Sequence, residues 1–154
     1  MSGAVEIRTI EPQPAVVIRS RAMRENLGAE FGVVIPEVYN HVVSKGVTPT
    51  GMPFTRYFAF SDAGVEFESG VPVAGPVEEG ARTKNIQLPG GRVAFIRHIG
   101  PYEKLESAYR RLEEWFAGSE YEPGGPPWEV YVTDPGAEPD SSKWITDIFQ
   151  PVTW

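Results

Sequence analysis

The chain has 154 residues, a formal net charge of −7 at pH 7 and no cysteine. This length fits one domain with its own hydrophobic core, and the lack of cysteine excludes disulfides, thiol chemistry and cysteine-based zinc sites. The sequence has only two histidines and no cluster of Lys and Arg. We therefore expect no metal, no cofactor and no direct binding to nucleic acid. Since no apolar run approaches the roughly 20 residues of a membrane span, and no signal peptide is visible, we expect a cytoplasmic protein without membrane contact.

The first half of the chain has the pattern of a strand, a helix and two further strands. The first strand is expected to bend at Pro12 and Pro14, because proline lacks the N–H that a sheet ladder needs. Apolar residues at three- and four-residue spacing then indicate a helix that ends before Gly46, with a kink or a late start at Pro36. The sequence "SDAG" is the predicted turn of the following hairpin. The predicted ranges are residues 5–21, 29–44, 54–60 and 64–71.

The second half of the chain has the same pattern. A long strand is interrupted at "PGG", and Gly100-Pro101 then opens a helix that Gly118 ends, since proline is tolerated in the first helical turn. The segments "PWEVYVTDP" and "KWITDIFQPV" form the last hairpin. The polar loop between them, residues 135–142, is predicted to be the most mobile segment. The other predicted ranges are residues 83–98, 101–117, 127–135 and 143–152.

Three short echoes, in the same order and at nearly constant offset, indicate an internal repeat. "AVVIRS" returns as "VAFIRH", "PFTRYF" as "PWEVYV", and "GVPV" as "FQPV". We therefore predict two pseudo-symmetric strand–helix–strand–strand units, one over about residues 1–76 and one over about residues 83–154, within a single domain. The predicted fold is α+β: an eight-stranded antiparallel sheet with two helices on one face.

The strand "WEVYV" has a carboxylate in an otherwise apolar segment. Because side chains alternate along a strand, Glu129 and Tyr131 share one face, while Trp128 and Val130 share the other. A charged residue in a strand is most often solvated. If the helices cover only one face of the sheet, however, something apolar must cover the face of Glu129, and a small-molecule pocket would meet this need.

Several of these motifs resemble the GyrI-like small-molecule-binding domain, which is also the effector-binding half of multidrug-sensing bacterial transcription activators. They are "RHIGPYEKL" at residues 97–105, "PWEVYVTDP" at residues 127–135, "PFTRYF" at residues 53–58, and the endings "GVPV" and "FQPV". The resemblance covers essentially the whole chain. It implies two strand–helix–strand–strand units related by a pseudo-two-fold axis, as the internal repeat predicts.

The resemblance also implies a function. Glu129 matches the buried glutamate that faces cationic aromatic ligands in drug-binding members, with Tyr131 as its neighbour. Regulators of the family carry a DNA-binding domain before this one, so the resemblance is to a stand-alone member. We expect a bacterial protein that binds aromatic or amphipathic small molecules, cations among the candidates, and protects against xenobiotics or toxins. The alternatives are a hydrolase that opens strained cyclopropane rings in an aromatic cage, and an inhibitor with a protein partner such as DNA gyrase.

Further ligand-contacting residues are predicted with an ordinary core role as the alternative for each. Tyr57 is the repeat partner of the tyrosine in the "WEVYV" strand, and Tyr102 is expected to cap the cleft from the first helical turn. Trp115 lies at the edge of the second helix's apolar stripe, with His41 as its repeat partner. Phe54 is a weaker candidate, because alternation places it on the face opposite Tyr57.

If the protein is a hydrolase, the predicted catalytic residues are Glu129 and Tyr131. The chain has no cysteine and no recognisable nucleophile elbow, so catalysis would use water with Glu129 as the proton-transferring group. A pair of catalytic carboxylates formed by Glu129 and Asp147 is rejected, because no spacing supports it.

Overall fold

The computed structural model describes residues 3–153, which form nine strands and two α-helices. Each of the cited strand pairs is antiparallel, and the combination of such strands with two helices confirms the predicted α+β class. No helix in the described range is long and apolar enough to cross a membrane. The bounds are β1 Glu6–Ile10, β2 Gln13–Ala22, α1 Leu27–Ser44, β3 Phe54–Ser61, β4 Gly64–Pro72, β5 Thr83–Leu88, β6 Gly91–Ile99, α2 Leu105–Ala117, β7 Glu122–Pro123, β8 Trp128–Tyr131 and β9 Ile145–Thr153.

The chain divides into two compact units, each with its own strands and helix. The middle unit is Glu11–Gly90, and the terminal unit consists of residues 3–10 together with residues 91–153. In the middle unit β4 lies between β3 and β2, and β5 pairs with the other edge of β2. In the terminal unit the order is β1, β6, β9 and β8, and the short β7 also pairs with β9.

Each of the two predicted long strands is in fact two strands with different partners. The first is interrupted before Gln13, so that β1 pairs with β6 while β2 pairs with β4 and β5. Pro12 lies in the interruption, where it cannot donate to a ladder. The second is interrupted between β5 and β6, where Gly91 has a φ of 108°. This backbone conformation favours glycine and makes the sharp turn.

The core of the middle unit forms where α1 packs on β2 and β4. The helical spacing of the sequence is confirmed, because Val34, Val38 and Val42 are all fully buried in this cluster. The helix begins at Leu27 and continues through Pro36, so the predicted late start at this proline is wrong. The cluster also contains Val16, Ile18, Val71, Val73 and Val77.

The core of the terminal unit forms where α2 packs on β6 and β9. A short 3-10 turn, Tyr102–Lys104, leads into the helix after Pro101. Ala108 and Leu112 of α2 are buried against this sheet face. The cluster contains Ala94, Ile96 and Ile148, with Leu105, Tyr109, Trp115 and Phe116 packed at its edges.

The strand register shows the internal repeat at the level of single residues. Equivalent three-residue rows cross the central strands of the two units, and both rows contain the isoleucine of an echoed motif. Thr55 of the middle unit therefore occupies the position that Glu129 occupies in the terminal unit. The rows are Ile18–Ser69–Thr55 and Ile96–Ile148–Glu129.

Candidate functional site

A buried carboxylate held by two tyrosine hydroxyls is the main polar feature of the terminal unit. Glu129 on β8 is only 3% exposed. The hydroxyl of Tyr109 donates to its Oε1 at 2.6 Å, and the hydroxyl of Tyr131 donates to its Oε2 at 3.0 Å. A carboxylate is costly to bury unless it is hydrogen-bonded, so these two donors offset part of the cost of placing Glu129 inside.

The three residues meet because a strand and a helix face each other here. Glu129 and Tyr131 lie on the same face of β8, as the alternation predicts, and Glu129 pairs directly with Ile148 of β9. Ile148 belongs to the cluster that α2 covers, and Tyr109 reaches the carboxylate from this helix. Helix α2 therefore covers part of the sheet face on which Glu129 lies, where the sequence predicted an apolar covering.

Three aromatic side chains continue from this carboxylate, and we call Tyr102, Tyr131 and Trp144 the aromatic wall. The ring centroids of Tyr102 and Tyr131 are 5.8 Å apart in an edge-to-face arrangement. Those of Tyr102 and Trp144 are 5.0 Å apart and tilted by 37°. All three residues are half-buried, so each ring has one part in the protein and one part accessible.

The hydroxyl of Tyr102 stays protonated over a wider pH range than that of a free tyrosine. Burial raises the pKa of Tyr102 above its ordinary value, and the negative charges of Asp134 and Glu129 raise it further. Each of these effects disfavours the phenolate. Tyr102 is therefore neutral at physiological pH, and it can offer a hydroxyl donor as well as a π surface.

A buried hydroxyl and a buried histidine lie beside this wall. Thr146 is fully buried and pairs with Tyr131 on one side and His98 on the other. Within residues 3–153 its hydroxyl has no hydrogen-bond partner. A ring nitrogen of His98 is 3.2 Å from the carbonyl oxygen of Pro101. Burial lowers the pKa of His98, and this hydrogen bond opposes the effect.

The structure brings together three of the predicted site residues, Glu129, Tyr131 and Tyr102. Trp115 belongs to the same unit, where its ring stacks on Tyr121 with centroids 5.7 Å apart and packs against the α2 core. Its predicted contact with a ligand stays a prediction.

The other three predicted residues lie in the middle unit. Tyr57 packs near Phe31 and Phe60, with ring centroids 6.5 Å and 6.2 Å away. A ring nitrogen of His41 is 2.6 Å from the carbonyl oxygen of Glu78, a contact that joins α1 to the loop after β4. Phe54 is 1% exposed, so its ring is part of the interior. Ligand contacts of these residues also stay predictions.

Two residues of the cluster were not predicted from the sequence, Tyr109 and Trp144. Tyr109 is in the apolar stripe of α2, where helical spacing does not distinguish a core aromatic from one whose hydroxyl reaches a buried acid. Trp144 stands just before β9, and the only sequence signal for it is an aromatic residue at the end of a polar loop.

The matching position of the middle unit has different chemistry. Thr55 there shares a 2.7 Å hydrogen bond with Ser69, and both residues are fully buried. Two hydroxyls can satisfy each other without a charge. The repeat therefore places a neutral, self-bonded pair where the terminal unit has a carboxylate.

An open cleft of about 390 Å³ is found elsewhere in the terminal unit. Its lining includes neither Glu129 nor the aromatic wall. Among residues 3–153 no group of His, Asp and Glu side chains is arranged to hold a metal ion. The residues that line the cleft are Arg92, Tyr121, Val152 and Thr153.

Solved structures share this fold at low sequence identity. The EcmrR C-terminal domain is 22% identical with a TM-score of 0.83, and the alignment covers 97% of this chain and 96% of that one. EcmrR in its complex with DNA is also 22% identical with a TM-score of 0.86, over 96% of this chain and 56% of that one. This chain therefore spans about half the length of EcmrR.

Two more distant structures are a hydrolase and a ligand complex. The hydrolase encoded by lin2189 from Listeria innocua is 10% identical with a TM-score of 0.66, over 97% of this chain and 92% of that one. SAV2435 bound to tetraphenylphosphonium is 12% identical with a TM-score of 0.63, over 98% of this chain and 94% of that one. Likeness at such identities shows the fold alone.

The family itself is shown by the sequence. The sequence profile of the GyrI-like small molecule binding domain matches residues 3–153, which is essentially the whole chain, as the motifs indicated. None of the curated proteins compared with the chain matches it. The chain belongs to the family of GyrI-like small-molecule-binding domains.

Proposed function

We propose that the chain binds aromatic cations at Glu129 and the aromatic wall. The observation that carries this proposal is the buried carboxylate to which two neutral hydroxyls donate, Tyr109 at 2.6 Å and Tyr131 at 3.0 Å. Neutral donors stabilise the carboxylate without cancelling its charge. The carboxylate of Glu129 would attract a ligand cation, and the neighbouring rings would stack on the aromatic groups of that cation.

The charge interaction is large enough to decide which ligands bind. A cation about 5 Å from a carboxylate gains roughly 3 kcal/mol at the effective dielectric constant of about 20 that suits partly buried groups. Part of this gain is spent on desolvating the cation. A net contribution of about 1.5–3 kcal/mol corresponds to roughly ten- to hundredfold in affinity.

Two observations support this choice of ligand class. The family is one of small-molecule-binding domains, and the structurally similar SAV2435 has been solved with tetraphenylphosphonium, an aromatic cation. We propose protection against xenobiotics or toxins as the biological role, because a site that selects charge and aromatic character accepts many compounds of one class.

The test is calorimetric titration with tetraphenylphosphonium and with tetraphenylborate, which has the same shape and the opposite charge. We expect the wild type to prefer the cation, and Glu129→Gln to bind it roughly ten- to hundredfold more weakly. Glu113→Gln is the matched control, because it removes the same charge from an exposed position on α2. Equal affinity of the wild type and Glu129→Gln for the cation would refute the proposal.

Hydrolysis of a strained electrophile is a second candidate. It is favoured by the hydrogen bonds between Glu129 and two tyrosine hydroxyls, because a carboxylate in such a network can take a proton from an attacking water. Mass spectrometry of a panel of cyclopropane-bearing alkylators incubated with the protein tests it, and no product above buffer would exclude it for that panel. We do not propose a protein partner such as DNA gyrase, since no feature of residues 3–153 favours one.

A further inference from the structure

The aromatic wall extends well beyond Glu129, and its far end is Trp144. The ring centroids of Tyr131 and Tyr102 are 5.8 Å apart, and those of Tyr102 and Trp144 are 5.0 Å apart. Glu129 is 3% exposed, whereas the three rings are half-buried. The accessible surface of this cluster is therefore mostly aromatic, with the charge at one end.

The indole of Trp144 is held in place from the loop that precedes β9. Its N–H donates to the carbonyl oxygen of Glu138 at 2.7 Å. The loop has its own hydrogen bonds, because the carboxylate of Asp134 accepts from the N–H of Gly136, and that of Asp140 accepts from Ser142. The ring is thus oriented before any ligand arrives, which lowers the entropy cost of stacking on it.

The strand register gives the backbone distance between Trp144 and the strand position of Glu129. Ile148 pairs directly with Glu129 and follows Trp144 by four positions in the sequence. At 3.3–3.4 Å per residue, about 13 Å of extended chain separate Trp144 from the strand position of Glu129. The backbone position of Trp144 is therefore well beyond that of Glu129, and a ligand that contacts both residues must extend along the strand direction.

We propose that Trp144 and Tyr102 form a second aromatic subsite, which selects elongated cations whose ring system reaches about 10 Å from the positive charge. The proposal rests on the proposed function, since it assumes that a cation binds at Glu129. It adds a length requirement to the charge requirement, and it assigns this requirement to residues at the far end of the wall.

A pair of phosphonium ions tests the length requirement. Tetraphenylphosphonium is compact, while (4-biphenylyl)triphenylphosphonium has the same charge and one aromatic arm longer by a ring. We expect the wild type to bind the longer ion about five- to tenfold more tightly, the range of an added aromatic contact. The 4-cyclohexylphenyl analogue has the same length but lacks the second π system. Its gain in affinity over tetraphenylphosphonium should be smaller.

Variants assign the effect to its residues. Trp144→Leu should bind the two phosphonium ions equally, and Trp144→Phe should keep part of the preference, because it retains a ring but loses the bond to Glu138. Glu129→Gln should lower the affinity for both ions by the same factor and leave the ratio of the two affinities unchanged. Tyr121→Leu is the control, since it removes a half-buried aromatic residue of the same unit outside the wall, and it should leave the ratio intact. Melting curves verify that each variant is folded.

The outcomes separate this proposal from the proposed function. A length preference that persists undiminished in Trp144→Leu would overturn the subsite, as would a wild type that binds both ions equally with Glu129-dependent affinity. In either case the Glu129 cation site would stand. A wild type that binds neither ion would overturn both proposals together.

Discussion

The hydrogen bond from Tyr109 to Glu129 has a predictable energy. In Tyr109→Phe the ring still packs on the α2 core, and only the hydroxyl is lost. That hydroxyl donates at 2.6 Å to a carboxylate that is 3% exposed. Hydrogen bonds to charged groups contribute about 1.5–3 kcal/mol, and a buried acceptor that loses its donor is not rehydrated. We therefore expect a loss of about 1.5–3 kcal/mol in unfolding free energy, or roughly 3–12 °C in melting temperature.

Urea unfolding of four proteins measures this energy as a coupling. The four proteins are the wild type, Tyr109→Phe, Glu129→Gln and the double variant. The cost of Tyr109→Phe is measured once in the wild type and once in Glu129→Gln. The cost should fall by about 1–2 kcal/mol in the Gln background, because the charged acceptor is gone. Tyr131→Phe should cost less than Tyr109→Phe, since its hydrogen bond is longer at 3.0 Å.

Tyr39→Phe is the control, as Tyr39 is 49% exposed and removal of its hydroxyl should stay within about 0.5 kcal/mol. If Tyr109→Phe also stays within that range, or costs the same with and without the charge at residue 129, the reasoning about this carboxylate is wrong.

Three further predictions concern Thr146, His98 and Gly70. Thr146→Val should raise the unfolding free energy by about 1 kcal/mol, because a buried hydroxyl without a partner among the described residues is replaced by a methyl group; a loss of stability would show that this hydroxyl is satisfied. Burial lowers the pKa of His98 below its ordinary 6.5. The contribution of neutral His98 to the unfolding free energy should therefore be present above pH 6.5 and lost as the pH falls through the folded-state pKa. The loss should be at most about 1.4 kcal/mol per pH unit. Denaturation from pH 7.5 to 5 should show this loss in the wild type and in His41→Gln but not in His98→Gln, and an equal loss in all three would contradict the assignment. Gly70→Ala should destabilise the middle unit by about 3 kcal/mol or more, since its Cβ would lie 1.9 Å from the carbonyl oxygen of Val16; melting measures it, and a cost below about 1 kcal/mol would contradict the close packing.

The sequence allowed the secondary structure and the repeat to be predicted because both leave local signals. Val34, Val38 and Val42 have helical spacing, and all three are fully buried. Ile18 and Ile96 stand in echoed motifs, and each pairs with the neighbouring strand at an equivalent position. The exchange of partners along the two long strands was not predicted, because pairing is non-local and proline and glycine mark an interruption without naming the new partner.

The site was predictable only along one strand. Alternation placed Glu129 and Tyr131 on one face, and the structure joins them by a hydrogen bond. The contributions of Tyr109 and Trp144 depend on how a helix and a loop fold back onto that strand. Neither residue differs in type or spacing from an ordinary core or loop aromatic, so only the tertiary structure reveals them.

A crystal structure of the protein with tetraphenylphosphonium would show whether the cation binds at Glu129, because the phosphorus atom can be located without ambiguity. We expect the phosphorus to lie within about 6 Å of the carboxylate of Glu129, with a phenyl ring against Tyr131. A cation found instead in the cleft lined by Arg92 and Tyr121, or within the middle unit away from Glu129, would contradict it.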